Sequence, residues 1–329
     1  LSHAPPALFW NIPINTPLTV APARNPPNAS GPRMNPIIKG DTIAIVAPAK
    51  AIEEEFVIFA KQKMESLGYN VIVGKNTLGR HHYYSGTIPE RLSDFQEALD
   101  NPEVKAILCA RGGFGCVQLV DLINWSSILR NPKWIIGFSD ITVFHQRLQK
   151  LGLRSIHGTM PLNFKENSEE SLSTLIDSLE QKEYSIKTLP HPSNKKGTTQ
   201  GVVVGGNLSI LYSLLGTDDQ IDYSNNILFI EDLSEQLYVV DRMFFAFKKA
   251  GILDKISGLI VGGITNMFDT TPPIGETIEE IILKHFLYSK TPICFGFPAG
   301  HIDDNRAIRF GSNATFTVNE EIVELVIEA

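Results

Sequence analysis

Three absences narrow the reading of this chain before any motif is considered. Only three cysteines occur in 329 residues, Cys109, Cys116 and Cys294, and none belongs to a CxxC pair. Isolated cysteines in apolar runs point to reduced core residues and to the cytoplasm, not to a disulfide framework or a thiolate metal site. No apolar run approaches the length needed to span a bilayer, so a membrane role is not expected. Basic charge is short: 29 Lys and Arg against 36 Asp and Glu leave a net charge of −7. Nucleic acid is therefore not expected as a main partner, because phosphate contacts need a basic surface.

What is present describes a globular protein, with 43% apolar and 20% charged residues. The length suits one large domain or two ordinary ones. Residues 1–33 are rich in Pro, Ala and Asn and lack both an initiator Met and the basic-then-apolar order of a signal peptide. They are expected to be a flexible extension, with Met34 just before the first strand-like segment.

From Met34 onward, apolar runs alternate with helical patterns. Strands are expected at 42–48, 70–73, 104–110 and 134–136, and helices at 53–67, 90–99 and 139–151. A glycine turn, Arg111-Gly112-Gly113-Phe114-Gly115, opens a further helix through about Ile123. From about Phe164 to Gly201 the character changes to Ser, Glu and Lys without clear periodicity. Strands then follow at 202–204, 227–230 and 259–261, and helices at 208–215, 238–250 and 274–286. The end of the chain, from Ile293 to Val326, is β-rich. The expected fold is α/β in two domains: an N-terminal, doubly wound, mostly parallel sheet over 34–164, a linker over 165–200, and a C-terminal α/β domain over 201–329. Ligands in such sheets bind beyond the carboxyl ends of the strands.

Chemistry-bearing residues fall at those ends. In Gly137-Phe138-Ser139-Asp140-Ile141-Thr142 a serine sits where a strand turns into a helix, the placement of a nucleophile elbow. The second glycine of Gly-x-Ser-x-Gly is replaced by Ile141, so a plain helix cap remains the alternative. Glu231 closes a strand, and His301 follows the strand-like 292–296. A serine needs a base, and the base an orienting acid. Ser139 would attack a carbonyl, His301 would take its proton, and Glu231 would hold the imidazole. The main-chain N–H groups of Gly113 and Asp140 would form the oxyanion hole. The alternatives are a helix cap for Glu231-Asp232, a structural loop role for His301 and a phosphate site at the glycine turn. The turn fits G-x-G-x-x-G poorly, so no nicotinamide cofactor is expected. The spacing of His81-His82 and of His301, Asp303 and Asp304 matches no metal motif, so no metal is expected. His145 and His157 read as packed or surface histidines.

Taken together, Arg111–Gly115, Gly137–Thr142, Ile230-Glu231-Asp232 with Asp241-Arg242, and Gly300-His301 resemble the LD-carboxypeptidases, the serine peptidase family that includes muramoyl-tetrapeptide carboxypeptidases and microcin C immunity peptidases. The resemblance runs over about residues 36–329. The opening Ile45–Ala49 is similar to the family's start, although serine often stands there at one of the places held here by Ala47 and Ala49. The resemblance implies a Ser139–His301–Glu231 triad, an oxyanion hole at Gly113 and Asp140, a cytoplasmic homodimer and no cofactor. It implies release of terminal D-alanine from a murein tetrapeptide during cell-wall recycling. Such a substrate ends in a carboxylate, for which Arg111 is a candidate partner, or Arg111 forms a salt bridge that braces the glycine turn. Two other readings stay open: cleavage of peptidyl- or aminoacyl-nucleotide toxins, which would favour an exposed aromatic platform, and a small-molecule binding protein without chemistry. A glutamine-amidotransferase-like enzyme would need a cysteine at position 139.

Overall fold

The computed structural model describes residues 34–329. The expectation of a flexible extension over 1–33 lies outside the described residues. The first half of the chain runs β1 (Thr42–Val46), α1 (Glu54–Ser66), β2 (Asn70–Val73), α2 (Ile88–Asp100), β3 (Val104–Cys109), α3 (Ser126–Arg130), β4 (Trp134–Gly137), α4 (Thr142–Lys150) and β5 (Ser155–His157). The second half runs α5 (Glu169–Leu179), β6 (Tyr184–Thr188), β7 (Gly197–Asn207), α6 (Leu208–Ser213), β8 (Ile227–Leu233), α7 (Leu237–Lys249), β9 (Gly258–Thr265), α8 (Ile278–Leu283), β10 (Ile293–Cys294), β11 (Ile308–Phe310), β12 (Asn313–Val318) and β13 (Val323–Ile327).

These strands build two sheets. The first has six strands in the order β11-β5-β4-β3-β1-β2, parallel except where β11 meets β5. Its central strand β4, Trp134–Gly137, is a continuous and fully buried apolar run, as expected where helices cover a parallel sheet. The second has seven strands in the order β10-β9-β8-β7-β12-β13-β6. Its β7–β10 part is parallel, and its β12, β13 and β6 part is antiparallel. The long β7 serves both parts, pairing with β12 over Gly197–Val202 and with β8 over Val203–Asn207. Along β8, Leu228 and Ile230 join one core cluster while Ile227 and Phe229 join the other, so alternate residues fill the two faces of this sheet.

The division of the chain differs from the expected linker over 165–200. That stretch carries α5, which packs Leu175 and Leu179 into the core of the first sheet, and β6, the edge strand of the second. The apolar positions Leu172, Leu175, Ile176 and Leu179 have helical spacing but are diluted by Ser and Glu. Strand β11, from the C-terminal part of the chain, completes the first sheet. The helix expected after the glycine turn is a short 3-10 turn, Cys116–Gln118.

Helix α4 joins the two halves. The Thr142 hydroxyl accepts from the Asn207 N–H at 3.0 Å, Gln146 meets the Gly205 carbonyl at 3.4 Å and accepts from Tyr223 at 3.0 Å, and Arg147 pairs with Asp219. A Cβ on Gly206 would lie 2.5 Å from Oγ1 of Thr142, so only glycine allows this approach. The helix that begins beside Ser139 is thereby fixed against the strand beside Glu231.

Candidate active site

Ser139 follows β4 and opens a 3-10 turn, Ser139–Ile141, that leads into α4. Its φ is +64°, a left-handed conformation that costs a non-glycine residue about 1 kcal/mol. The turn and α4 are capped at Phe138 and Ile141 without side-chain bonds, so Ser139 is not the helix cap that its residue type also suggested. Two features hold the strain. Gly137 is packed so closely that a Cβ would lie 2.8 Å from Ile141. Its carbonyl accepts from the His145 Nε2–H at 2.9 Å. Burial drives His145 down to about 4, so the ring is neutral, and its Nδ1 then accepts from the Ser155 hydroxyl at 2.8 Å.

The glycine turn lies against the serine. A Cβ on Gly112 would come within 2.9 Å of Cβ and 3.1 Å of Oγ of Ser139. Gly113 is exposed, with φ +113°. The buried Asp140 carboxylate ties the two turns together by accepting the Cys116 N–H at 2.8 Å. Burial raises the pKa of Asp140, although the Cys116 hydrogen bonds and the Arg91 charge oppose that shift.

Arg91 is a residue that sequence reasoning missed. It is 2% exposed and donates to the carbonyls of Gly86 at 3.0 Å, Pro48 at 2.8 Å and Gly115 at 3.3 Å, and to Gln118 at 2.6 Å. One side chain thus clamps three loops at the mouth of the first sheet. In sequence it is an arginine within a helix, indistinguishable from a solvent-facing one.

On the second sheet, Glu231 ends the regular part of β8, just where the register with β9 shifts. Its side chain is completely buried. His301 follows Gly300, whose Cβ would lie 2.7 Å from that of Glu231, so glycine is what lets the histidine loop reach the acid. The His301 Nδ1–H donates to Oε2 of Glu231 at 2.5 Å. A carboxylate can only accept, so the proton sits on Nδ1 and Nε2 is left as the basic nitrogen. Burial alone would lower His301, but the charge and hydrogen bond of Glu231, with the charge of Asp232, hold it above its ordinary value. Asp232 is pushed up to about 6 by burial and by Glu231. It accepts the Ser209 N–H at 2.9 Å at the start of α6, so Asp232, and not Glu231, serves a helix end.

The His301 ring lies edge-on to Phe138, with centroids 4.8 Å apart, so the histidine of one half packs on the residue preceding Ser139 in the other. The structure therefore pairs His301 with Glu231, sets both beside the serine turn, and lays Gly112 on Ser139. Arg111 is half-buried and donates to the Ala51 carbonyl at 3.0 Å, a brace made by a hydrogen bond and not by a salt bridge. Asp304 is taken up by Arg306 at 2.8 Å and Ser168 at 2.7 Å, and no group of His, Cys, Asp and Glu suited to a metal occurs among the described residues. No helix of the described residues is long and apolar enough to cross a membrane.

A strained serine, a histidine with one free nitrogen, a buried carboxylate and an exposed glycine turn make a site suited to acyl transfer. Comparison with known proteins gives the class. The model of the LD-carboxypeptidase N-terminal domain matches residues 43–158, and that of the C-terminal domain matches residues 200–316. The chain belongs to the LD-carboxypeptidase family. It is 33% identical over 306 residues to a Bacillus subtilis protein named probable murein peptide carboxypeptidase, covering 88% of this chain and 92% of that one. It is 28% identical to the murein tetrapeptide carboxypeptidase of Pseudomonas aeruginosa, covering 84% and 93%. The crystal structure of muramoyltetrapeptide carboxypeptidase from Oxalobacter formigenes superposes with a TM-score of 0.80 at 27% identity, covering 88% of this chain and 99% of that one. The two-sheet α/β fold and the family expected from the motifs are thus both borne out.

Proposed function

We propose that this chain is a serine carboxypeptidase that hydrolyses the amide between an L-centre and a terminal D-amino acid, releasing D-alanine from a murein tetrapeptide. The observation that carries the reading is the 2.5 Å bond from His301 Nδ1–H to the buried Glu231, on the flank of the strained Ser139 turn. The murein substrate is supported by the names of the relatives.

In the proposed reaction Ser139 Oγ attacks the scissile carbonyl, and Nε2 of His301 takes the hydroxyl proton. Glu231 stabilises the imidazolium so formed. The oxygen that gains charge is met by the N–H groups of Gly113 and Asp140, which the Asp140 carboxylate and Arg91 hold in register. His301 then gives its proton to the leaving D-amino acid, and water repeats the sequence in reverse on the acyl-enzyme. All three cysteines are buried and unpaired, which supports extending the proposal to a reducing, cytoplasmic setting. Trp125 and Trp134 are buried, so neither offers an exposed platform for a base, and the murein reading is preferred on the names of the relatives.

The test is mass spectrometry of a murein tetrapeptide incubated with the wild type and with Ser139→Ala. Loss of one alanine in the wild type alone is the expected result. An intact tetrapeptide in both would overturn the substrate reading.

A further inference from the structure

One buried histidine has no part in the proposed reaction. His157 ends β5, where it pairs with Gly137 of β4 on one side and with Ile308 of β11 on the other. It is completely buried, and neither ring nitrogen has a hydrogen-bond partner among the described residues. A buried polar atom left in that state costs stability. Filling the space would need only an apolar side chain of similar size. Packing alone therefore does not account for a histidine at this position.

Its aromatic neighbours do. The His157 ring meets Phe229 at a centroid distance of 4.8 Å and an angle of 67°, the arrangement in which the positive edge of one ring faces the negative face of another. Phe229 has no room to retreat towards Gly262, where a Cβ would lie 2.8 Å from its ring. On its other contact His157 meets Phe138 at 5.7 Å, and Phe138 in turn meets His301 at 4.8 Å. Phe229 stands two residues before Glu231 on β8, and Glu231 holds His301. The contacts thus close a ring: Glu231, His301, Phe138, His157, Phe229 and back along β8. The ring leaves the second sheet, enters the first and returns. Burial and the charges of His145 and His301 keep His157 well below its ordinary value, so it adds no charge beside His301.

We propose that His157 is a positioning residue, a neutral wedge between Phe229 and Phe138 that holds the His301 ring in line with the Glu231 carboxylate. The inference rests on the reading of His301 as the base. Phe229 backs the wedge, and Phe138 passes its contact on to the His301 ring. The bond from His301 Nδ1 to Glu231 stays short only while that ring cannot swing. The charged and titratable groups that act on His301 are Glu231 and Asp232 of β8, and it is felt in turn by His157 of β5; His157 also feels His145 of α4. Removing the wedge leaves both acids in place but loosens the bond, so the pull of Glu231 weakens and His301 falls towards its ordinary value.

The test is NMR on the full chain, reading the His301 Nδ1 proton and the His301 titration midpoint. His157→Leu replaces the wedge by an apolar side chain close in size, and His157→Gln keeps a polar side chain without the ring. In both, the Nδ1 resonance is expected to broaden or vanish, and the midpoint to fall by about half a pH unit or more. On a tetrapeptide, kcat should fall about 10-fold with KM within ~3-fold, and the acid limb of kcat/KM should move down with the midpoint. Phe316→Leu is the structural control: Phe316 is buried in the same cluster as Phe229 but lies outside the ring of contacts. It should lower the melting temperature and leave His301 unchanged. An unchanged His301 in the folded His157 variants overturns the proposal. So does an equal shift in Phe316→Leu, or an undiminished kcat in His157→Leu. The NMR readout needs no substrate. A chain whose His301 responds to His157 yet which cleaves no tetrapeptide would sink the hydrolytic reading and leave the wedge standing.

Discussion

The two halves of this molecule hold the groups of the proposed triad by different means. The first half uses backbone: Ser139 is held at φ +64°, and the approach of Gly112 admits no side chain. The second half uses burial and charge: Glu231 is sealed from solvent, and His301 is set by its bond to that carboxylate. A strained turn aims an atom without altering its acidity, whereas a buried carboxylate alters the acidity of its partner. In the proposed reaction, a hydroxyl that is positioned and an imidazole that accepts a proton need these two different treatments.

Substitutions at the two sites should therefore fail in different ways. The largest effect is expected at Ser139. Ser139→Ala should lower kcat by about 10⁶-fold, to a small residual rate, while leaving thermal stability unchanged, because alanine keeps the Cβ and hence the strain. Ser139→Gly should be equally inactive but more stable by up to about 1 kcal/mol, the strain being relieved. Calorimetry of the two inactive variants checks this, and equal melting temperatures would show that the turn stores no strain.

Next is Glu231→Gln, which keeps the shape and removes the charge. The expected loss is in kcat, on the order of 10³-fold or more, with KM nearly unchanged, because the carboxylate acts on the imidazolium that forms during reaction. Steady-state kinetics on a tetrapeptide would contradict the role if KM carried the loss.

A smaller effect is expected from Arg91→Met. It removes the clamp on Gly115 and Pro48 and leaves the buried Asp140 without its nearby positive charge. A fall of about 10- to 100-fold in kcat with KM changed less than ~3-fold is expected, as for a site displaced by a fraction of an ångström. Arg91→Lys should recover little, because lysine cannot reach four acceptors.

The smallest effect is on stability against pH. His301 has its folded pKa raised above the unfolded value of about 6.5, so its contribution is fully present below that pH and is lost as pH rises through the folded value. Wild-type stability should fall in that window, and Glu231→Gln should flatten the fall. Denaturant midpoints measured from pH 6 upward test it. The kcat/KM profile should rise through the same window, as Nε2 becomes free to accept a proton.

The two halves were also unequally legible in sequence. Ser139, Glu231 and His301 each follow an apolar run that ends at a glycine or a charge, so their placement at sheet ends could be read locally. The meeting of Glu231 with His301 depends on Gly300 lying on Glu231, a contact across 69 positions that no local pattern carries. Arg91 was hidden because burial of an arginine is decided by three loops that converge on it. Helix α5 was hidden because its apolar stripe is only four residues in a polar stretch. Strand β11 joins the first sheet from the far end of the chain, so the expected boundary at 164 followed chain order where the sheets do not.

The central claim is that groups prepared by backbone strain in one half and by buried charge in the other act as one unit. A double-mutant cycle on residual kcat/KM with Ser139→Ala and Glu231→Gln tests it most directly. The account predicts that the double variant is no worse than Ser139→Ala alone, because an oriented base has no role without its nucleophile. Losses that multiply would show that Glu231 acts independently of Ser139, and would contradict it.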